Sequence, residues 1–285
     1  MGSDLTGKMS KIVLTGASGF IGSKVAGALR AAGMKPICIS RVPREGMLQV
    51  TDYRATPAAD ILIHLGEERD RGCVAAAGAT YIDNVVATTA ALCRKGYKRI
   101  IYASSAAVYG DHVTTAQREN EPVQPSDPYS TAKLISERLV TDEGGTVVRL
   151  ANVIGPDMSR SNVLTAILTQ IGQQGPLRVR NVSPVRDYIW IDDAVAALLA
   201  LVLGPATGIY NVGSGRGTTV GELAGLALSL AGESGRGIIS TEPTSAGSCC
   251  YLNVDRIQRE FNWSAQMDLA QGVKYLLQYR EQKTT

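Results

Sequence analysis

Apolar positions in the first half of the chain alternate between two rhythms. Short runs rich in β-branched residues, Lys11 to Thr15, Pro36 to Ser40, Asp60 to Leu65, Arg99 to Ser104 and Thr146 to Leu150, predict strands. Between them Ile21 to Ala32, Asn84 to Lys95 and Tyr129 to Thr141 carry apolar side chains at helical spacing. Gly33 and Gly96 stand where the first two of these helices should stop. Strands that alternate with helices in this way predict an α/β fold, a doubly wound parallel sheet with helices on both faces.

The rhythm loosens after Gly155-Pro156, where we read a helix near Asn162 to Gln173, a strand near Leu177 to Val182 and a helix from Asp192 to Leu203. The expected division is a dinucleotide-binding domain over residues 10–156, with some later segments returning to its sheet, and a smaller C-terminal substrate lobe over 157–285. A chain of 285 residues accommodates both and leaves no room for a third unit. No internal repeat or low-complexity tract interrupts it.

Composition narrows the class. Charged residues make up 19% and the formal charge is +3, which argues against a polybasic nucleic-acid surface. Ala194 to Leu203, the longest apolar stretch, is half the length of a membrane span and follows Asp192 and Asp193, so it reads as a buried helix. Residues 1–10 lack the apolar core of a signal peptide, and the expectation is a cytoplasmic protein without a membrane segment. Five cysteines (Cys38, Cys73, Cys93, Cys249, Cys250) and two histidines (His64, His112) make neither a disulfide framework nor a zinc motif, so no metal is expected.

The first strand runs straight into Gly16-Ala-Ser18-Gly19-Phe20-Ile21-Gly22 and then into a helix. A dinucleotide phosphate loop needs that context. Gly16 permits the sharp turn, Gly19 lets backbone approach a pyrophosphate, Gly22 permits close helix packing, and the helix N-terminus attracts the anion. At the end of the second strand, where an acidic residue would bind the adenosine ribose 2′-hydroxyl, stands Ser40-Arg41. Arg41, with Ser40, suits a 2′-phosphate and so favours NADP(H) over NAD(H). Asp52, after the next short strand, is placed to receive the adenine amino group, and Leu65 and Gly66 end the strand beside the cofactor.

Tyr129 and Lys133 lie four residues apart and share a helix face. A free tyrosine ionises at about pH 10, and an ammonium close by favours the phenolate. Tyr129 then becomes a usable general acid or base. Ser105 follows the strand run Arg99 to Ser104 at its carboxyl end, where active sites of open parallel sheets gather, and its hydroxyl can bond the substrate oxygen that Tyr129 protonates.

With these pieces in place the chain resembles the extended short-chain dehydrogenase/reductases, the NAD-dependent epimerase/dehydratase family that acts mainly on nucleotide sugars. The resemblance runs from Lys11 to about Leu277 through Thr15 to Gly22, Ile61 to Leu65, Asn84 to Thr88, Ser104 to Gly110, the Tyr129/Lys133 pair, Arg149 to Pro156, Arg186 to Asp193 and Tyr210 to Gly213. It implies a Rossmann sheet and hydride transfer at a nicotinamide. Ser105 and Tyr129 would flank the reacting oxygen, and Lys133 would also touch the nicotinamide ribose. Ala106 and Asn152 would line the sugar site and Arg186 would clamp the diphosphate, unless it pairs with Asp187 or Asp193. Relatives often form homodimers through two helices, and Val85 to Leu92 with Leu134 to Val140 offer apolar faces for that or for covering the sheet.

Three departures qualify the resemblance. Ala106-Ala107 replaces the acid pair that dehydratases of the family carry, which removes the proton donor for elimination. Thr244 to Ser248 has serines where sugar epimerases carry an arginine and an aspartate, so other cations such as Arg160, Arg178 or Arg180 would have to serve. Gly66-Glu67-Glu68 stands in place of small apolar residues and brings two acidic side chains to the cofactor cleft, with no role legible in the sequence. The reading that best fits is an NADPH-dependent ketoreductase of a nucleotide-activated 4-keto-6-deoxy sugar. An NAD-dependent nucleotide-sugar 4-epimerase is the alternative, and a non-catalytic cofactor-binding regulatory protein is the reading from outside enzymology.

Overall fold

A computed structural model describes residues 10–68, 70–111, 114–242 and 248–284. The amino-terminal segment read for a targeting signal, His112, and most of Thr244 to Ser248 therefore lie outside the described residues.

The first half builds β1 (Ile12–Thr15), α1 (Phe20–Ala31), β2 (Ile37–Ser40), β3 (Leu48–Gln49), β4 (Ile61–His64), α2 (Arg71–Ala77), α3 (Ala79–Cys93), β5 (Arg99–Ser105), α4 (Pro128–Asp142) and β6 (Thr146–Leu150). The second half adds β7 (Asn152–Ile154), α5 (Val163–Thr169), β8 (Leu177–Val179), β9 (Val185–Arg186), β10 (Tyr188–Trp190), α6 (Ile191–Leu203), β11 (Gly208–Val212), β12 (Thr218–Thr219), α7 (Val220–Leu230), β13 (Ile238–Ser240), β14 (Cys249–Cys250), α8 (Asp255–Phe261) and α9 (Leu269–Thr284).

Seven parallel strands form the main sheet in the order β11-β6-β5-β4-β1-β2-β3. The chain winds outward from β1 to β3 and then returns to β4 on the other side of β1, so the carboxyl ends of β1 and β4 diverge into a crevice. Strand alternation sorts the core onto two faces. Leu14, Ile63, Ala103 and Val148 pack with Val25 and Leu29 of α1 and Leu198 and Leu201 of α6, while Val13, Leu62, Tyr102 and Val147 pack with Leu92 of α3 and Val140 of α4. Strand β11, contributed by the second half, closes one edge of this sheet.

Differences from the expected elements have local causes. The helix predicted from Asn84 begins at Ala79 and is preceded by α2, with Gly78 at φ 51° breaking the two apart. The alanine-rich run there carries no amphipathic stripe to announce it. Strand β3 is two residues long, so Asp52 lies beyond it and caps a 3-10 turn at Tyr53–Ala55 instead. Val85 packs with Val74, Tyr81 and Ala132 inside the chain, and Leu92 and Val140 cover the sheet. Among the described residues no helix is long and apolar enough to cross a membrane.

Candidate active site

The crevice at the ends of β1 and β4 is a cleft of about 430 Å³. It is lined by Gly16, Ser18, Gly19, Phe20, Ile21, Gly22, Arg41, Leu65, Gly66, Ser105, Tyr129, Lys133 and Asn152 among the residues singled out from sequence. A neighbouring cavity of about 370 Å³ shares Arg41, Gly66 and Glu67 with it and reaches Asp52.

The glycine loop fits a pyrophosphate. Gly16 sits at φ 69°, and a Cβ on it would lie 2.8 Å from the Gly66 backbone. At Gly22 a Cβ would collide with the Gly16 carbonyl, so the start of α1 rests directly on the turn. No side chain caps α1 at Gly19, whose nearest neighbour for an added Cβ is the Gly16 carbonyl at 3.2 Å. Backbone N–H groups at this terminus thus face the cleft side without side-chain competition, as an anionic phosphate requires.

Two cofactor candidates hold positions that redefine their use. Ser40 is fully buried, and its hydroxyl bonds Ser18 at 2.9 Å and accepts from the Val42 amide at 3.2 Å. It braces the glycine loop against β2. Asp52 accepts from the Arg54 amide at 2.8 Å and from Arg54 Nε at 2.7 Å, and these bonds hold its carboxyl below the usual range. Arg41 lines both cavities, with its guanidinium 5.4 Å from the centre of the Tyr53 ring. Tyr53 went unremarked in the sequence, yet it lines the cleft and touches Gly66 so closely that a Cβ there would strike its ring.

The acid–base candidates converge as their spacing predicts. Asp127 caps α4 in a capping box with Ser130, and Pro128 opens the helix, which fixes the turn that carries Tyr129. Lys133, one turn on, is buried and lies with Nζ 5.6 Å from the Tyr129 ring centre. Its ammonium donates to the Ala103 carbonyl at 2.6 Å. Ser105 ends β5, and its hydroxyl oxygen accepts from the Ala107 amide at 3.2 Å, which leaves the hydroxyl proton to donate toward the cleft.

Glu67, whose purpose the sequence left open, pairs with Lys133. Oε2 is 2.8 Å from Nζ, an ion-pair distance although not aligned as a hydrogen bond, and Oε1 accepts from the Tyr102 hydroxyl at 2.7 Å. Lys133 and His64 both draw the carboxyl down against the opposing effect of burial, the largest single influence on it. His64 stands 3.8 Å away and bonds Thr15 Oγ1 through Nδ1 at 2.6 Å.

Of the substrate-side candidates, Asn152 lines the cleft and donates from Nδ2 to the Asp187 carbonyl at 3.2 Å. Ala106 is buried, with its carbonyl accepting from the Cys250 thiol at 3.3 Å. Arg186 takes neither Asp187 nor Asp193 as partner. Its guanidinium donates to Asp111 at 3.1 Å and to the Ser248 hydroxyl at 2.6 Å. Asp187 instead gathers a loop, accepting from the Ser214 amide and hydroxyl and from the Gly215 amide at 2.7 to 3.1 Å. Arg180, a candidate replacement cation, is paired with Glu242 at 2.8 Å. Among the described residues no cluster of metal-ligating side chains occurs.

The NAD-dependent epimerase/dehydratase family matches residues 12–213. Among curated proteins, a UDP-glucose 4-epimerase of Azospirillum brasilense is 25% identical and covers 95% of this chain and 92% of its own length. A dTDP-glucose 4,6-dehydratase of Streptomyces griseus is 26% identical over 92% of this chain and 91% of its own. A dTDP-6-deoxy-L-talose 4-dehydrogenase (NAD(P)(+)) of Kitasatospora kifunensis is 28% identical over 78% and 80%. Two solved structures share the fold. A UDP-glucose 4-epimerase of Thermotoga maritima with UDP-glucose superposes with a TM-score of 0.86 at 22% identity, covering 96% of this chain and 100% of its own. RMD of Pseudomonas aeruginosa complexed with NADPH superposes with a TM-score of 0.83 at 23% identity, with the same 96% and 100% coverage.

Proposed function

The chain belongs to the NAD-dependent epimerase/dehydratase family, and from that premise we propose that it is an NADPH-dependent ketoreductase acting on a nucleotide-activated 4-keto-6-deoxy sugar. The observation that carries this reading is Arg41, a cation on the wall of the cleft just past the end of β2. Ser40, the last residue of that strand, is not acidic, so no carboxylate there repels a 2′-phosphate. Consumption of reductant suits the phosphorylated coenzyme, and the talose dehydrogenase and the NADPH-bound RMD provide precedent among relatives and neighbours.

Bound in the cleft, the coenzyme would supply a hydride to the carbonyl carbon. The glycine loop and the N-terminus of α1 would hold its pyrophosphate, and Lys133 places an ammonium next to Tyr129. The Ser105 hydroxyl, oriented by the Ala107 amide, donates to the carbonyl oxygen. Tyr129 delivers the proton that the resulting alkoxide needs. Asn152 borders the sugar side of the cleft.

Epimerisation at the same carbon is the second reading, favoured by the similarity to UDP-glucose 4-epimerases. One assay separates the two. Purified protein is offered NADPH or NADH with a panel of nucleotide-linked keto-sugars, and loss of reduced coenzyme is followed. The reductase reading requires stoichiometric oxidation of NADPH and an enzyme that is inert until coenzyme is added. Retention of nicotinamide nucleotide through purification, with interconversion of UDP-sugars and no added coenzyme, would replace it with the epimerase.

A further inference from the structure

Four buried ionic side chains meet at the floor of the cleft and just behind it, two cations and two carboxylates. Lys133 and Glu67 are 7% and 8% exposed, and Arg149 and Glu137 are 3% and 2% exposed. The charges of this group sum to zero, but they are not interchangeable.

Glu137 is occupied by the guanidinium. Arg149 Nε lies 3.1 and 3.2 Å from its two oxygens, Nη2 lies 2.7 Å from Oε2, and the Ser104 hydroxyl also donates to Oε1. Lys133 is left to Glu67, 2.8 Å away, and to the uncharged Ala103 carbonyl. Other titratable groups surround the ammonium. Tyr102 of β5 places its ring centre 4.7 Å from Nζ, Tyr129 and Glu137 lie one turn to either side on α4, and His64 ends β4. Tyr81 of α3 packs in the cluster beside Tyr129 with its hydroxyl donating to the Glu68 carbonyl at 2.9 Å. Among the described residues Glu67 is the one carboxylate within ion-pair distance of Nζ.

We infer that Glu67 is a positioning residue of the redox site, the fixed counter-ion that holds Lys133 beside Tyr129 and keeps it an ammonium. The inference rests on the reading of Tyr129 and Lys133 as the acid–base pair. Its logic is that a buried group of charges with one carboxylate removed carries an uncompensated positive charge, and that state is costly. Arginine cannot shed a proton to relieve it, whereas lysine can. Burial is the largest influence on Lys133 and favours the neutral amine, and Glu67 is the largest influence opposing it, with the balance on the side of the ammonium. Without Glu67 the largest influence opposing burial is lost, and the balance shifts toward the neutral amine. Glu67 also draws on Tyr102, whose hydroxyl fixes Oε1 and so the carboxylate plane.

The test reads the charge of Lys133 directly. Protein labelled with 13Cε-lysine is titrated by NMR as the parent, as Glu67→Gln and as Glu67→Asp, with the Lys133 resonance assigned from Lys133→Arg. In the parent Lys133 stays charged beyond the ordinary lysine midpoint of about 10.4. In Glu67→Gln its midpoint falls by about 2 pH units or more, and Glu67→Asp, with its carboxylate a methylene further back, falls between the two. Where turnover is measured, the alkaline fall in kcat of Glu67→Gln begins at lower pH than in the parent, falling about tenfold per pH unit above the new midpoint. A Lys133 titration unchanged in both variants overturns the inference. If Gln at position 67 prevents folding, the parent-to-Asp comparison decides alone. The expected titration in a protein that reduces no sugar upholds the counter-ion role and removes only the proposed reaction.

Discussion

The Thr15 hydroxyl and the His64 imidazole are joined at 2.6 Å across the paired ends of β1 and β4. His64 is buried between the Tyr53 and Tyr102 rings, with centres 5.9 and 5.8 Å away. Thr15 immediately precedes Gly16, so the bond lies at the start of the glycine turn.

Burial pushes the His64 midpoint down to about 4, Lys133 adds to the effect, and Glu67 works against it. In the unfolded chain a histidine titrates near 6.5. Below that pH the unfolded state binds a proton that the folded state refuses, so stability falls with pH between roughly 6.5 and 4. Above about 6.5 the group contributes no pH dependence. At pH 5 the loss from this residue is about 2 kcal/mol. Urea unfolding of the parent and of His64→Gln from pH 7.5 to 4.5 isolates it, since the variant should lack that part of the acid slope. Equal slopes in the two proteins would mean that His64 titrates normally.

Arg149 and Glu137 tie β6 to α4 through three guanidinium-to-carboxylate hydrogen bonds. Glu137→Gln leaves a guanidinium buried without its anion and should cost about 3 to 5 kcal/mol of stability. The double replacement Glu137→Leu with Arg149→Met removes both charges and should cost much less than the single one. Denaturant midpoints of the three proteins check this, and a double variant at least as unstable as the single would show that the pair contributes more than mutual neutralisation.

The crevice and its acid–base pair were legible because their signals are local. Gly16, Gly19 and Gly22 crowd into one turn, and Tyr129 and Lys133 are one helical turn apart, so spacing alone sets their geometry. What spacing could not reveal was pairing between distant segments. Glu67 drew notice only as an unexplained acid, because Lys133 lies on α4, beyond α2, α3 and β5. Arg186 was assigned to a diphosphate or to its acidic neighbours, whereas Asp111 and Ser248 arrive from other loops. The second half was less readable for a related reason. Strands such as β9, β12 and β14 are two residues long and show no alternation, and only their pairing with one another defines them.

Tyr129→Phe removes the phenol proton without changing the ring that packs against α3. Loss of kcat by about 10² to 10⁴ is expected, with the circular dichroism spectrum retained. Lys133 acts through that phenol, so adding Lys133→Met to Tyr129→Phe should lower kcat little further, although Lys133→Met alone is severe. Groups that work as one unit show this non-additivity. Independent, multiplying losses would assign Lys133 a separate role in turnover.

Arg41 makes the last prediction, because it bears on the coenzyme and not on the chemistry. A charge-assisted hydrogen bond contributes about 1.5 to 3 kcal/mol, so Arg41→Ala should lower kcat/KM for NADPH by about 10- to 100-fold. NADH lacks the 2′-phosphate, and its kcat/KM should change little. Arg41→Asp goes further: the carboxylate repels the phosphate and can accept from the ribose hydroxyls, which should invert the preference. Since the guanidinium also stacks on Tyr53, Arg41→Lys is the control that keeps the charge while weakening the stacking and the forked geometry. Retained NADPH use in Arg41→Lys, set against its loss in Arg41→Ala, places the discrimination in the charge. Equal NADPH kinetics in parent and Arg41→Ala would remove the basis for choosing NADPH over NADH.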